Sequence, residues 1–214
     1  MDTVKISKKL LKRLPVYLAH LKSLPANSNV SATSMAKALG LGDVQVRKDL
    51  AKVSAAGRRR TGRDRERLIQ DIEGYLDFAA KTGTIIVGAG KLGRALLDYD
   101  GFEKSGLNIM AGFDLEPCAD CSESGKPIYP TSRLEYFCKH YDVHIGVITV
   151  PAENAQKVCD MLVACGITAI WNFAPVHLKV PEHVVVQSEN LAVSLTALRM
   201  QMKTHTPVCA EIKE

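Results

Sequence analysis

Three glycines and one carboxylate carry the clearest chemistry in this 214-residue chain. Gly88, Ala89, Gly90, Lys91, Leu92 and Gly93 give a G-x-G-x-x-G spacing, preceded by Thr84-Ile85-Ile86-Val87 and followed by Arg94-Ala95-Leu96-Leu97. The short β-branched run reads as a buried strand, and the residues after the glycines continue as a helix. In that setting Gly88 permits a tight turn, Gly90 lets the backbone approach a pyrophosphate, and Gly93 lets helix and strand pack closely. Phosphate oxygens would meet free N–H groups at the helix N-terminus. A second strand, Asn108 to Phe113, ends on Asp114, 21 residues past Gly93. A carboxylate there accepts hydrogen bonds from a ribose diol and repels a 2′-phosphate, which favours NAD(H) over NADP(H). A strand-to-helix turn without ligand would need the same glycines; the acid in register favours dinucleotide binding.

The elements that must position this site follow in sequence. Lys126 to Tyr129 reads as a short strand, Ser132 to Lys139 as a helix, and Val143 to Val150 as the next buried strand. Pro151 opens a helix running to Cys165, its fixed φ suiting the first helical position. Thr149, Val150 and Pro151 therefore lie at a strand's carboxyl end, the edge where doubly wound sheets bind ligands. Thr168 to Phe173 and His183 to Ser188 supply two further strands. Asn190 to Lys203 makes a closing amphipathic helix, apolar at Leu191, Val193, Leu195, Leu198 and Met202, that packs on its own domain or on a second subunit. Cys118 and Cys121 form a C-x-x-C pair, but zinc needs four ligands and no second pair stands at suitable spacing. The flanks do not match a thioredoxin-like motif, so the pair reads as a coincidence of the loop. Cys138, Cys159 and Cys165 read as buried small hydrophobes.

Charge divides the chain. Residues 1–80 carry 16 Lys+Arg against 8 Asp+Glu, and residues 81–214 carry 12 against 15. A basic amino-terminal module points to a polyanion partner, or else to a solvated basic face. Residues 7 to 23 have a helical apolar pattern; Ser31 caps a second helix, Gly40-Leu41-Gly42 turns, and Asp43 to Val53 makes a third. The last helix offers Gln45, Arg47, Lys48 and Lys52, with Val44, Val46 and Leu50 facing inward. That is helix-turn-helix spacing: Gln and Arg bond base edges in a major groove, and Lys neutralises phosphate. The same spacing also occurs in modules that bind no DNA. Gly57-Arg58-Arg59-Arg60-Thr61-Gly62-Arg63 follows, where the β-hairpin wing of a winged helix belongs, and its arginines suit a minor groove or phosphates. The bland alternative is a basic linker. Arg67 to Ala80 reads as a connecting helix.

Apolar residues make up 46% of the chain, enough for a real core, and no apolar run approaches membrane-spanning length. Lysines and Arg13 interrupt the first 14 residues and no apolar segment follows, so the expected location is cytoplasmic, with reduced cysteines. The expected fold is α/β. A winged helix-turn-helix domain (1–80) precedes a Rossmann-like doubly wound parallel sheet (81–188) and a carboxy-terminal helix and tail (189–214). A small NAD-dependent dehydrogenase is the competing class. It would need a substrate pocket and an acid/base group, yet about 130 residues beyond the first module make one bare nucleotide fold. A DNA-binding protein with a silent nucleotide pocket is the other alternative.

Six segments together resemble the Rex family of NADH-sensing bacterial transcriptional repressors over roughly residues 12 to 200. They are Lys12-Arg13-Leu14-Pro15, Gln45 to Leu50, Gly88 to Leu96, Ala111 to Asp114, Thr149 to Ala152, and Gly166-Ile167 through Asn172-Phe173-Ala174-Pro175. The resemblance implies a homodimer whose winged helices read double-stranded, inverted-repeat operator DNA, with the carboxy-terminal helix exchanged between subunits. It implies that NADH releases DNA and NAD⁺ permits binding, and that Asn172 and Leu191 join the cofactor site. Tyr99 matches the tyrosine of the family's redox switch, while the usual acid opposite it is Asn190 here and the arginine paired with that acid falls near Ala19. Asn190 is therefore expected to hydrogen-bond Tyr99 without a net charge. In the wing, Arg59 is followed by Arg60 where the family has Arg-Gly, which keeps the charge but changes the shape.

Overall fold

The computed structural model describes residues 7–54, 62–76 and 81–205 of a chain that divides into two compact units, Met1–Ala80 and Lys81–Glu214. The first unit runs α1 (Lys8–Ser23), β1 (Asn29–Val30), α2 (Ala32–Leu39), α3 (Asp43–Val53), β2 (Arg63–Asp64) and α4 (Arg65–Tyr75). Ser31 and Ser34 close a reciprocal capping box at the start of α2, and Gly40 ends it in the left-handed region at φ 64°. Leu14, Tyr17 and Leu21 of α1, Met35 of α2, Val46 and Leu50 of α3, and Leu68 and Ile72 of α4 share one core. Val44, expected inside, is 63% exposed. The buried positions of α3 are Val46, Asp49 and Leu50, an i, i+3, i+4 stripe that leaves residue 44 on the other side.

Arg58, Arg59 and Arg60 lie outside the described residues. The chain returns as β2, which pairs antiparallel with β1 through Asn29↔Asp64 and Val30↔Arg63. Helix α4 begins at Arg65, earlier than the apolar pattern suggests, because the Asp64 carboxylate accepts the Arg67 amide at 2.8 Å.

The second unit runs β3 (Thr82–Val87), α5 (Lys91–Leu97), β4 (Leu107–Asp114), β5 (Ile128–Pro130), α6 (Leu134–His140), β6 (Val143–Ile148), α7 (Ala152–Ala164), β7 (Ala169–Asn172), β8 (Val185–Ser188) and α8 (Leu191–His205). Its six strands are all parallel, in the order β5-β4-β3-β6-β7-β8. Counted within the unit this is 3-2-1-4-5-6, the doubly wound arrangement. Ile85 and Val87 of β3 join Phe113, Ile148 and Leu162 in one cluster, while Ile86 joins Leu97, Ile109 and Val147 in another. Successive side chains of a strand point to opposite faces, so β3 must be apolar on both. Strand order reverses between β3 and β6, which puts a crevice beyond Val87 and Ile148. Pro151 occupies the cap position of α7 rather than its first turn.

Candidate functional site

The glycine turn is built by close packing. Gly88 has φ 104°, a conformation that side chains disfavour. A Cβ there would lie 2.9 Å from Thr149 and from the Val150 amide, and one on Gly93 would lie 1.8 Å from the Gly88 carbonyl oxygen. A Cβ on Gly90 meets nothing within 4 Å, so that side of the loop is open. The Thr149 hydroxyl donates to the Gly88 carbonyl at 2.7 Å, with the Val87 carbonyl 3.2 Å away. Arg94 Nε donates to the Ala89 carbonyl at 3.1 Å, and the Ala89 amide donates to Asp114 Oδ2 at 2.6 Å. Asp114 Oδ1 accepts from the Glu116 amide at a longer 3.3 Å. The carboxylate is thus tied to the glycine turn, with lone pairs left for a further donor.

A cleft of about 580 Å³ opens at this edge of the sheet, with Gly88, Gly90, Asp114, Thr149, Val150 and Pro151 in its wall. That volume suits a small-molecule or cofactor site. Asn154, Lys157, Val158 and Met161 also line it, and sequence reasoning passed over them. Their signal was an i, i+3, i+4, i+7 face on the helix after Pro151. An open approach at Gly90, an anchored acid and a cleft at the switch point fit a dinucleotide.

Other expected residues stand elsewhere. Asn172 is fully buried and absent from the cleft wall: its amide nitrogen donates to Ala174 and Val176 carbonyls at 3.1 and 3.0 Å, and its oxygen accepts the Ala174 amide at 3.0 Å. Both ends of the side chain hold the turn after β7. Tyr99 is 57% exposed and meets Phe102 edge-on at 5.0 Å. Asn190 caps α8, accepting the Val193 amide at 3.1 Å. Beyond it Leu191, Val193, Leu195, Leu198 and Met200 are between 54% and 68% exposed. Five large apolar side chains on one exposed helix form the kind of patch that marks an interaction surface.

On α3, Gln45, Arg47, Lys48 and Lys52 are all exposed. Beneath them lies Asp49, 2% exposed, a residue to which sequence reasoning gave no role of its own. It accepts from Arg13 Nε and Nη2 at 2.6 and 2.9 Å, Tyr17 Oη at 2.8 Å and Gln45 Nε2 at 2.8 Å. Burial pushes the Asp49 carboxyl up, but the donors Arg13, Tyr17 and Gln45 outweigh it and hold the group below its ordinary value. Burial and the hydrogen bond to Asp49 raise the Tyr17 phenol to about 12. The cluster joins α1 to α3 and turns the Gln45 amide nitrogen inward. Arg47 is paired with Asp43 one turn earlier.

A helix-turn-helix unit with an exposed basic helix, followed by a doubly wound nucleotide-binding unit, defines a class: DNA-binding regulators that respond to a nucleotide. Comparison with known proteins narrows it. Residues 5–51 match a family model described as "Putative DNA-binding protein N-terminus", and residues 79–176 match one described as "CoA binding domain". The chain is 38% identical over 201 residues to the redox-sensing transcriptional repressor Rex of Bacteroides thetaiotaomicron, spanning 92% of this chain and 91% of that protein. It is 39% identical over 207 residues to Rex of Porphyromonas gingivalis, spanning 95% and 94%. Among solved structures, RSP, a Rex-family repressor, in complex with beta-NAD+ and operator DNA superposes with a TM-score of 0.84 at 31% identity, over 96% of this chain and 100% of that one. RSP in complex with beta-NADH gives 0.80 at 30% identity, over 94% and 96%. The chain belongs to the Rex family of redox-sensing transcriptional repressors, and the dehydrogenase reading falls. Among the described residues no helix is long and apolar enough to cross a membrane, and no group of three or more His, Cys, Asp or Glu is placed to hold a metal.

Proposed function

We propose that this chain is a cytoplasmic, homodimeric repressor that grips operator DNA with its first domain (1–80) and releases it when NADH fills the cleft of its second (81–188). The observation that carries the reading is the Asp114 carboxylate, pinned 2.6 Å from the Ala89 amide at the switch point of the sheet. There it faces a ribose diol and opposes any phosphate on that ribose. Coenzyme A carries such a phosphate, so Asp114 argues for NAD(H) within a fold shared by both.

A bound nicotinamide dinucleotide supplies a ring that is neutral when reduced and positive when oxidised. The backbone from Gly88 through Ala89, Gly90, Lys91 and Leu92 to Gly93 holds the pyrophosphate, and Asp114 the adenosine ribose, in either state. These residues supply affinity without discrimination. Val150 and Pro151 supply apolar wall, while Thr149 shapes the turn from behind. Discrimination falls to Tyr99, Asn190 and Leu191. The exposed apolar residues of α8 give a second copy a surface to cover, and residues 189–214 form the exchanged segment. Release requires that the dimer arrangement unable to grip DNA hold reduced dinucleotide more tightly, because equal affinity shifts nothing. On DNA, Arg47 and the carboxamide oxygen of Gln45, whose nitrogen Asp49 holds, read base edges, while Lys48, Lys52 and the wing arginines Arg58, Arg59 and Arg60 neutralise phosphates.

The test is fluorescence anisotropy on a duplex selected by the protein from a random pool, titrated separately with NADH and NAD⁺ at fixed salt. Release at lower concentrations of NADH supports the reading; indistinguishable curves end it. Arg59→Ala is expected to weaken every duplex alike and to flatten the salt slope by about one unit. Loss confined to some base pairs would contradict its phosphate role. Asn190→Asp keeps the cap of α8 and adds the charge seen elsewhere in the family, so it should shift the NADH concentration for half-release severalfold. Asn190→Ala removes both the cap and the partner proposed for Tyr99; an unchanged half-release concentration in both variants would eliminate the switch assigned to this pair.

A further inference from the structure

The segment after Asp114 holds two thiols that the cofactor reading does not use. Cys118 and Cys121 are both exposed. The chain bends at each residue from Cys118 to Asp120 on its way to Cys121. They are anchored differently. Cys118 Sγ accepts Arg94 Nη2 at 3.2 Å, and Nε of the same guanidinium donates to the Ala89 carbonyl. The next link is the Ala89 amide on Asp114, so Cys118 is three hydrogen-bonded steps from the ribose-facing acid. Cys121 belongs to the frame on the other side. It bridges Pro127, and the neighbouring Asp120 carbonyl accepts the Ile128 amide of β5 at 2.8 Å. Ser124, farther along, is held to Asp98 through its amide at 3.0 Å and through its hydroxyl. The remaining described cysteines, Cys138, Cys159 and Cys165, are partly or wholly buried, and burial raises all three thiols. Of the described cysteines, a soluble oxidant therefore meets Cys118 and Cys121 first.

We propose that Cys118 and Cys121 form a reversible dithiol–disulfide switch that weakens dinucleotide binding when oxidised. The oxidant is a low-molecular-weight disulfide. The thiolate of one cysteine attacks a sulfur of that disulfide, forming a mixed disulfide and releasing one small thiol. The second cysteine's thiolate then attacks its partner's Sγ and releases the other. Two protein thiols lose two electrons and two protons, and one disulfide becomes two thiols. Closing the bond draws Cys118 toward the frame at Cys121 and away from Arg94. The guanidinium loses its outer anchor while still attached to the glycine turn, and the residues between Asp114 and Cys118 must follow. The coupling rests on the cleft being the dinucleotide site.

The test treats the full chain with oxidised glutathione, maps the disulfide by peptide mass after alkylation, and titrates NADH into reduced and oxidised protein. A Cys118–Cys121 bond that dithiothreitol reverses, with NADH affinity lower by about fivefold, supports the switch. Cys121→Ser should bind NADH like the reduced chain and, with the oxidant, stop at the mixed disulfide on Cys118 without forming an intramolecular bond. Absence of that bond under conditions that oxidise free glutathione overturns the site. A bond that leaves NADH affinity unchanged overturns the coupling. Reduced protein that binds no NADH overturns the cofactor reading instead, which separates the two failures.

Discussion

Gly93→Ala is expected to cost more than about 100-fold in NADH affinity, some 2.7 kcal/mol, and to lower the thermal stability of the second unit. The added methyl would sit 1.8 Å from the Gly88 carbonyl oxygen and 3.0 Å from Thr149 Oγ1. The atom in the way is backbone, held by the 2.7 Å bond from Thr149, so no rotamer change relieves the clash. Either α5 moves off β3 or the turn opens; both dismantle the amides and the Ala89–Asp114 link. Gly90→Ala is the informative contrast, because its methyl meets no protein atom and its backbone, at φ −69°, suits any residue. That variant should melt with the unaltered chain yet bind NADH more weakly, since the methyl occupies the path of the pyrophosphate. Unaltered affinity in Gly90→Ala would show that phosphate does not approach there.

Asp49→Ala is expected to unfold the amino-terminal unit more easily by about 2–3 kcal/mol and to abolish operator binding, while NADH binding in the second unit persists. Truncation leaves the Arg13 guanidinium, the Tyr17 hydroxyl and the Gln45 amide without their common acceptor. The figure sits below that for a fully buried pair because the Arg13 side chain is 23% exposed. Asp49→Asn keeps the shape and loses the charge, so it should fall between. Urea unfolding followed alongside anisotropy and an NADH titration separates the two units' responses. Loss of NADH binding in step with loss of DNA binding would refute so local an effect.

The same cluster sets a pH window. Asp49 is depressed below 3.8, so its contribution is complete above that value and declines as pH falls through the lower folded one. Tyr17 is raised from 10.0 to about 12, so its neutral form contributes in full below pH 10 and the contribution is lost as pH climbs to about 12. Asp49→Asn should therefore flatten the acid limb of a stability profile.

Elements governed by near neighbours were readable in advance. The G-x-G-x-x-G turn, the β-branched runs of β3 and β6, and the Ser31 cap depend on side-chain period and turn chemistry within a few residues. Wherever a role depended on a meeting of distant segments, the pattern misled or fell silent. Val44 looked apolar and inward, yet the buried stripe of α3 runs through Asp49.

From local chemistry alone the chain specified a basic helical module, a doubly wound sheet, a glycine turn and the acid that faces it. The reason is that backbone conformation, strand burial and charge answer to adjacent residues. Tertiary structure alone decided that Thr149 reaches across 61 residues to brace Gly88, that Arg13 and Asp49 meet across 36, and that one face of α7 lines the cleft. Such contacts arise when packed elements bring remote atoms within hydrogen-bond distance, and no spacing along the chain encodes which atoms those will be.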